Sequence, residues 1–419
     1  YEPYSDRFVA VACAQRRSSA SGMLFGVSET SDPTGNWHLW LLDADSTNSD
    51  WVDFPNLGFI QGRLTITGNL FTIAADGFSG VNIWVIDTAS ALDGGAITME
   101  LLRITNAGGT LVPPLTYDAG ETTQHLIRTG TANIFGSGRL QLYNLTGNIG
   151  ALSFNTNPTA SVGDAWSISV PNAKQMGTTA LIETNDTRLL GAVMRNGRLW
   201  TAHTVALSIT VRDHAAVKWW EIDPATGTAI QDGAIEDVDG DGNFNINTGT
   251  HYYFPSVAIN KNNEVLIGFS GSSGQEFVSS YYTFRAPSYP EGLFDIPTRY
   301  FSGVGTYSGP RWGDYSHTVV DPVDDTTFWT VQQHAAGSNR GGNSWAQVGE
   351  ASADTTPPGI SALSSPTSTR FVVTFSEPMA DNAALVSNAS YSFSPSLSIV
   401  SVVRLNSTQV RINTAEVST

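Results

Sequence analysis

Apolar and polar residues alternate with a period of two along most of this chain, which is the pattern of half-buried antiparallel strands. The clearest stretch runs Pro255-Ser-Val-Ala-Ile-Asn260, a polar turn at Lys261-Asn-Asn263, then Glu264-Val-Leu-Ile-Gly-Phe-Ser270, with Ser280–Arg285 after a loop. The same grammar returns in His317–Asp321, the turn Pro322–Asp325, Thr327–Gln332 and Trp345–Val348. Upstream, Arg188–Met194 turns at Arg195-Asn-Gly197 into Leu199–His203, and Val217–Ile222 follows. Earlier, Arg63–Asn69 is expected to turn into Leu70–Ala74, ahead of Val81–Asp87; His38–Asp43 is a near-twin of that last strand, and Thr123–Leu145 is a weaker copy.

A unit of three or four strands cannot hide both of its faces, so it must pack on copies of itself. The copies recur about every 45 to 80 residues, too irregularly for a linear stack, and a radial arrangement also protects the edge strands. The predicted fold is therefore all-β: a six- or seven-bladed β-propeller over residues 1–350. The first copy lacks its leading strands and the chain opens directly on a strand-like segment, Asp6–Val11, which reads as a trimmed or partial chain. A Pro-rich linker at 351–358 leads to a small β-sandwich of immunoglobulin type at 359–419, with strands at Arg370–Phe375, Ile399–Leu405 and Gln409–Ile412. That stretch is short of the roughly 100 residues such a sandwich uses, so it is expected to be incomplete.

Composition sharpens this picture. Lys plus Arg number 21 against 38 Asp plus Glu, a net charge of −17, so the chain cannot neutralise phosphates in bulk and nucleic acid is excluded as a partner. No apolar run approaches the roughly 20 residues of a membrane-spanning helix. Charged residues are only 14% while Gly reaches 40 residues and Phe, Tyr and Trp 43 together, which favours turns and strands over exposed helices. The only cysteine, Cys13, lies in an apolar run and reads as a small buried hydrophobe. Low lysine and near absence of cysteine suit a bacterial protein that is secreted or held at the cell surface.

Three stretches carry a resemblance. Arg311-Trp-Gly-Asp-Tyr-Ser316 with Val320–Trp329, the W-x-D-x-P-x-x-G segment Trp51–Gly58, and Phe254–Ser272 together resemble exported bacterial propeller proteins of the sialidase-like group. The resemblance covers most of residues 1–350 and implies architecture and export more than chemistry. The sequence departs from sialidases proper in having no S-x-D-x-G-x-x-W box and no recognisable arginine triad for a carboxylated sugar. Thr374-Phe-Ser-Glu-Pro-Met379 resembles the immunoglobulin-like spacer modules of bacterial surface proteins.

The candidate chemistry is local. Asp237-Val-Asp-Gly-Asp-Gly-Asn-Phe-Asn245 offers Asp237, Asp239 and Asp241 as alternating carboxylates, with the Asn243 carbonyl and Asn245, as oxygen ligands for a structural Ca²⁺. Thr248 at the twelfth position departs from a complete EF-hand loop, and a solvated acidic turn is the plainer account. Before a blade strand, Arg311, Trp312, Asp314, Tyr315 and His317 gather a cation, two aromatics, an acid and an imidazole. Trp312 and Tyr315 could form a sugar platform with Asp314 as acid/base; alternatively Arg311 pairs with Asp314 and Trp312 fills the core between blades. Asp53 is open to the same two readings. The seven histidines show no metal-binding spacing.

The expectation drawn from these features is a non-enzymatic extracellular module, binding, adhesive or surface-structural, whose partner is an extracellular glycan or cell-surface protein, with self-association a further option. The alternative is a polysaccharide-active enzyme, a glycoside hydrolase or lyase, with its site in the propeller funnel. Convergent ionisable groups with shifted pKa values around a deep cavity would favour the enzyme.

Overall fold

The computed structural model describes residues 1–419 except 134–135, 156–158, 208–213, 238–243, 247, 350–358, 377–386, 407–408 and 416–419. The chain divides into two units, Tyr1–Gly349 and Glu350–Thr419.

In the first unit the alternating segments pair into antiparallel sheets. The first sheet holds β1 (Val9–Ala14), β2 (Gly22–Ser28) and β3 (Trp37–Asp43). Next come β4 (Asp50–Ile60), β5 (Arg63–Thr72), β6 (Phe78–Asp87) and β7 (Met99–Ile104). A two-residue strand, β8 (Leu115–Thr116), precedes β9 (Gln124–Thr129), β10 (Ser137–Thr146), β11 (Ser153–Phe154) and β12 (Thr159–Asp164). Two four-stranded groups follow: β13 (Leu189–Arg195), β14 (Arg198–Val205), β15 (Ala216–Asp223) and β16 (Thr228–Ile235), then β17 (His251–Ile259), β18 (Val265–Ser273), β19 (Glu276–Arg285) and β20 (Thr298–Phe301). The last group is β21 (His317–Val320), β22 (Phe328–Gly337) and β23 (Arg340–Val348).

Local chemistry explains several of these joins. Asn196 and Gly197, both at positive φ (52° and 71°), make the two-residue hairpin between β13 and β14, a conformation these residue types adopt at little cost. The turn expected after Asn69 is absent, because β5 runs straight through as one strand paired with both β4 and β6. Gly68 serves close packing there instead of chain reversal: a Cβ on it would stand 2.4 Å from Val52 Cγ2. β8 pairs in parallel with both β4 and β13 and so joins two four-stranded groups into one nine-stranded sheet.

The leading strands of the successive groups converge on one cavity of about 540 Å³. Its wall includes Val9 of β1, Leu57 of β4, Leu115 of β8, Val193 of β13, Val257 of β17 and Val319 of β21. Repeated sheets around a common axial cavity make a propeller-type, all-β architecture. The buried clusters lie between neighbouring groups, as in Met23, Phe25 and Leu42 against Val52, Leu64 and Trp84. Among the described residues, apolar side chains also share exposed faces on the first and last sheets. On the first sheet Leu24, Leu39 and Leu41 share an exposed face, and on the last sheet Val331 and Trp345 do.

The second unit contains β24 (Ile360–Thr367), β25 (Arg370–Phe375), β26 (Ile399–Asn406) and β27 (Gln409–Thr414), hydrogen-bonded in the order β24-β25-β27-β26. Val373, Val402, Val410 and Ile412 form its core. The expected sandwich needs a second, facing sheet; the described residues of this unit form one sheet only. The expected linker, 351–358, lies outside the described residues.

Candidate active site at the cavity mouth

Three leading strands are kinked near their starts. Register shifts fall between Asp53 and Asn56 in β4, Leu189 and Ala192 in β13, and Tyr253 and Ser256 in β17. Phe54 and Phe254 sit at φ of 59° and 54°, a left-handed conformation that is costly for a bulky side chain and persists only where surroundings enforce it. For Phe254 the restraint is visible: its N–H donates to Thr204 Oγ1 (3.0 Å) and its carbonyl accepts from Ser316 Oγ (2.9 Å), from the groups on either side. For Phe54 the N–H donates to its neighbour's carboxylate, Asp53 Oδ1, at 2.8 Å.

Two long connections cross this end of the molecule and are tied together. The Tyr307 N–H donates to Gln175 Oε1 (2.9 Å), and Gln175 Nε2 donates back to the Tyr307 carbonyl (2.5 Å). Glu183, Asn185 and Asp186 are thereby carried to Arg311 and Asp314. Arg311 is ion-paired with Asp314, and its Nε lies 3.8 Å from Glu183 Oε2. Asn185 Nδ2 donates to Asp314 Oδ1 at 3.1 Å. Arg188 donates through Nε and Nη2 to both oxygens of Asp186, at 2.7 and 2.6 Å, and its guanidinium lies 4.5 Å above the Phe54 ring. Phe54 in turn faces Tyr315, ring centroids 5.5 Å apart. Tyr315 and His317 line the cavity while the charged members stand off its wall, so this cluster borders the cavity at the end we call its mouth.

Electrostatics separate the members. Burial raises the Glu183 carboxyl above the ordinary range even though Arg311 pulls the other way. Burial alone would raise Asp186 too, but the two bonds from Arg188 outweigh it and hold Asp186 low. Tyr315 lines the cavity and is 53% exposed, yet burial, with the charges of Asp53 and Asp314, raises its phenol. His317 is likewise reached from the cavity but hemmed in, and burial lowers it to about 4, so it is neutral at physiological pH. The thiol of Cys13 is raised to about 12 by burial and by Asp53.

The structure thus brings Asp53, Arg311, Asp314, Tyr315 and His317 to one mouth. It corrects the reading of Trp312 as a sugar platform. That side chain is only 2% exposed and packs edge-on to Tyr307, 4.8 Å away, within the cluster formed by Tyr253, Phe254 and Ala335. Glu183, Asp186 and Arg188 are the members that the sequence pattern did not single out. A faint signal exists: an Asp precedes the kink or start of three leading strands, in Asp53-Phe-Pro55, Asp186-Thr-Arg188 and Asp314-Tyr-Ser316. Of the calcium candidates, Asp237 Oδ2 accepts the Thr250 N–H (2.8 Å), and the Asn245 carbonyl accepts from Thr248 and Gly249. Asp239, Asp241 and Asn243 lie outside the described residues, and among the described residues no group of three or more acidic, His or Cys side chains could hold a metal.

No family model and no curated protein matches the sequence. Among solved structures the chain is similar to a Trypanosoma rangeli sialidase in complex with sialic acid (9% identity, TM-score 0.40, covering 82% of this chain and 52% of that one). It is also similar to the phage phi92 endosialidase (10%, 0.40, 90% and 72%). A third similar structure is the Penicillium chrysogenum α-L-arabinanase complexed with arabinobiose (15%, 0.38, 87% and 93%). The chain spans about half the length of the Trypanosoma sialidase chains it matches. Identities this low leave the chemistry to be read from the chain's own residues. The expectation of a non-enzymatic binding or adhesive module is corrected. The cluster beside the cavity gathers the convergent ionisable groups with shifted pKa values that the enzyme alternative requires.

Proposed function

We propose that this chain is a glycoside hydrolase acting at the mouth of the axial cavity. The observation that carries the reading is the raised Glu183 carboxyl beside the fixed, ion-paired Asp314, next to a cavity with Tyr315 on its wall. A carboxyl whose pKa is raised holds its proton to higher pH than an ordinary glutamate and can give it to the glycosidic oxygen as the bond breaks. A second carboxylate, Asp314 or Asp53, stabilises the positive charge that grows on the sugar ring. Tyr315 and the apolar wall exclude water around the bond and offer the sugar a stacking face.

The test is a degradation screen on a polysaccharide panel with the wild-type chain and Glu183→Gln. Reducing ends are expected from at least one polymer, falling about 10²-fold or more in the variant. The wild-type rate should decline on the alkaline side at a pH above the ordinary glutamate range, as Glu183 loses its proton. A panel that yields no reducing ends, or a variant as active as the wild type, overturns the assignment.

Three further readings go with this one. Six blades fit best, since five of the six strand groups give residues to the cavity wall and Val112, which bridges to Ile127 of the remaining group, lies on it too. A structural Ca²⁺ on the 237–245 loop is supported by its alternating carboxylates. A secreted or surface location, with 359–419 as an immunoglobulin-like spacer, is supported by composition and the Thr374–Met379 motif.

A further inference from the structure

The mouth cluster contains cations, and what they are engaged with decides what the site can accept. Arg188 spends Nε and Nη2 on Asp186, while one face of its guanidinium is covered by Phe54. Arg311 is shared between Asp314 and Glu183. Two guanidinium groups therefore stand among four carboxyl groups: Glu183, Asp186, Asp314 and Asp53, the last close enough to act on Tyr315. Even with Glu183 left out of the count, the three other carboxyl groups outnumber the two guanidinium groups. His317, neutral at physiological pH, adds no positive charge, and the chain as a whole carries −17.

A carboxylated sugar entering here would have to displace Asp186 from Arg188, or Asp314 from Arg311, and leave a carboxylate unpaired in a partly buried site. Breaking one side of such a pair is costly, and like charges raise the cost. Sugar hydroxyls face no such barrier. Ionised carboxylates only accept hydrogen bonds, so a ring of them is satisfied by hydroxyl donors, and the Leu57, Val193 and Val257 wall suits the apolar faces of an uncharged ring.

We infer that the sugar bound at this mouth is uncharged, and that Asp186 acts as a specificity-determining residue by withholding Arg188 from acidic substrates. This rests on the glycoside hydrolase reading above and names its substrate class.

The experiment compares matched polymers that differ in charge alone. Polygalacturonate and its carboxyl-reduced form, and colominic acid and its carboxyl-reduced form, are tested beside neutral arabinan, galactan and xylan. Binding is measured by affinity electrophoresis with Glu183→Gln, and hydrolysis with the wild type. The expected result is at least tenfold preference for neutral over acidic forms in both readouts. Asp186→Asn is expected to narrow that ratio by improving retention of the acidic forms, a change that mere loss of packing would not cause. Equal or better binding of the native acidic polymers overturns the inference while leaving the hydrolase reading intact. If neutral and acidic polymers alike are neither bound nor cleaved, the hydrolase reading itself falls, and this inference with it.

Discussion

His203 shows how one residue can tie stability to pH. Its side chain is fully buried, edge-on to Trp166; Nδ1 donates to the Thr187 carbonyl and Nε2 accepts from Trp220 Nε1, so the neutral ring satisfies both partners. Burial lowers its pKa to about 3. An unfolded histidine takes up a proton below about 6.5, so between there and about 3 the unfolded state binds the extra proton and stability falls as pH falls. Urea midpoints measured across that window should decline, and His203→Gln should remove up to about 1.4 kcal/mol per pH unit from the slope. The site's legibility also divides residue by residue. Asp53, Asp314, Tyr315 and His317 could be found because each abuts an alternating segment. Glu183 could not, and Asp186 with Arg188 only faintly, because what makes them matter is contact across more than a hundred residues, as in Glu183 to Arg311 and Arg188 to Phe54. Trp312 misled for the opposite reason: a tryptophan beside an acid looks the same whether it stacks on sugar or fills a core.

At the level of strands and turns, periodicity located most of the elements but misjudged the role of glycine. Gly68 beside Asn69 reads as a turn, yet it is the point where Val52 presses on β5. Gly68→Ala is expected to destabilise the chain by about 1–3 kcal/mol through overpacking, read as a lower denaturation midpoint with an unchanged m-value. The same kind of contact hid the kinks at Phe54 and Phe254, since nothing in an alternating pattern marks where the backbone must adopt positive φ. The acidic loop after β16 makes a separate prediction. If Ca²⁺ holds its self-repelling carboxylates, excess chelator lowers the melting temperature and added Ca²⁺ restores it; an unchanged melting curve removes the ion from the account.

For the whole molecule, the propeller-type arrangement was legible because repetition survives variable loops, whereas the sandwich expected at 359–419 rested on three strands, which lie in one sheet among the described residues. The repeat also leaves its first and last sheets each with an apolar face toward solvent, Leu39 being 75% and Trp345 67% exposed. Contiguous apolar surface of this kind binds hydrophobic dyes and promotes association. The native chain is expected to enhance anilinonaphthalene sulfonate fluorescence, and Leu39→Lys with Trp345→Lys to reduce it at unchanged melting temperature. Fluorescence that ignores both substitutions would mean the dye reads another surface.

The two residues of β8 have an effect far beyond their length. The Phe59 N–H donates to the Pro114 carbonyl and the Tyr117 N–H to the Met194 carbonyl, and Gly58 permits that approach, since a Cβ there would lie 2.5 Å from the Pro113 oxygen. A clasp of this kind predicts that β4–β7 and β13–β16 lose amide protection against solvent deuterium in step, although residues 105–188 separate them along the chain. On that expectation the glycine that closes the W-x-D-x-P-x-x-G segment is the hinge pin of a cooperative pair.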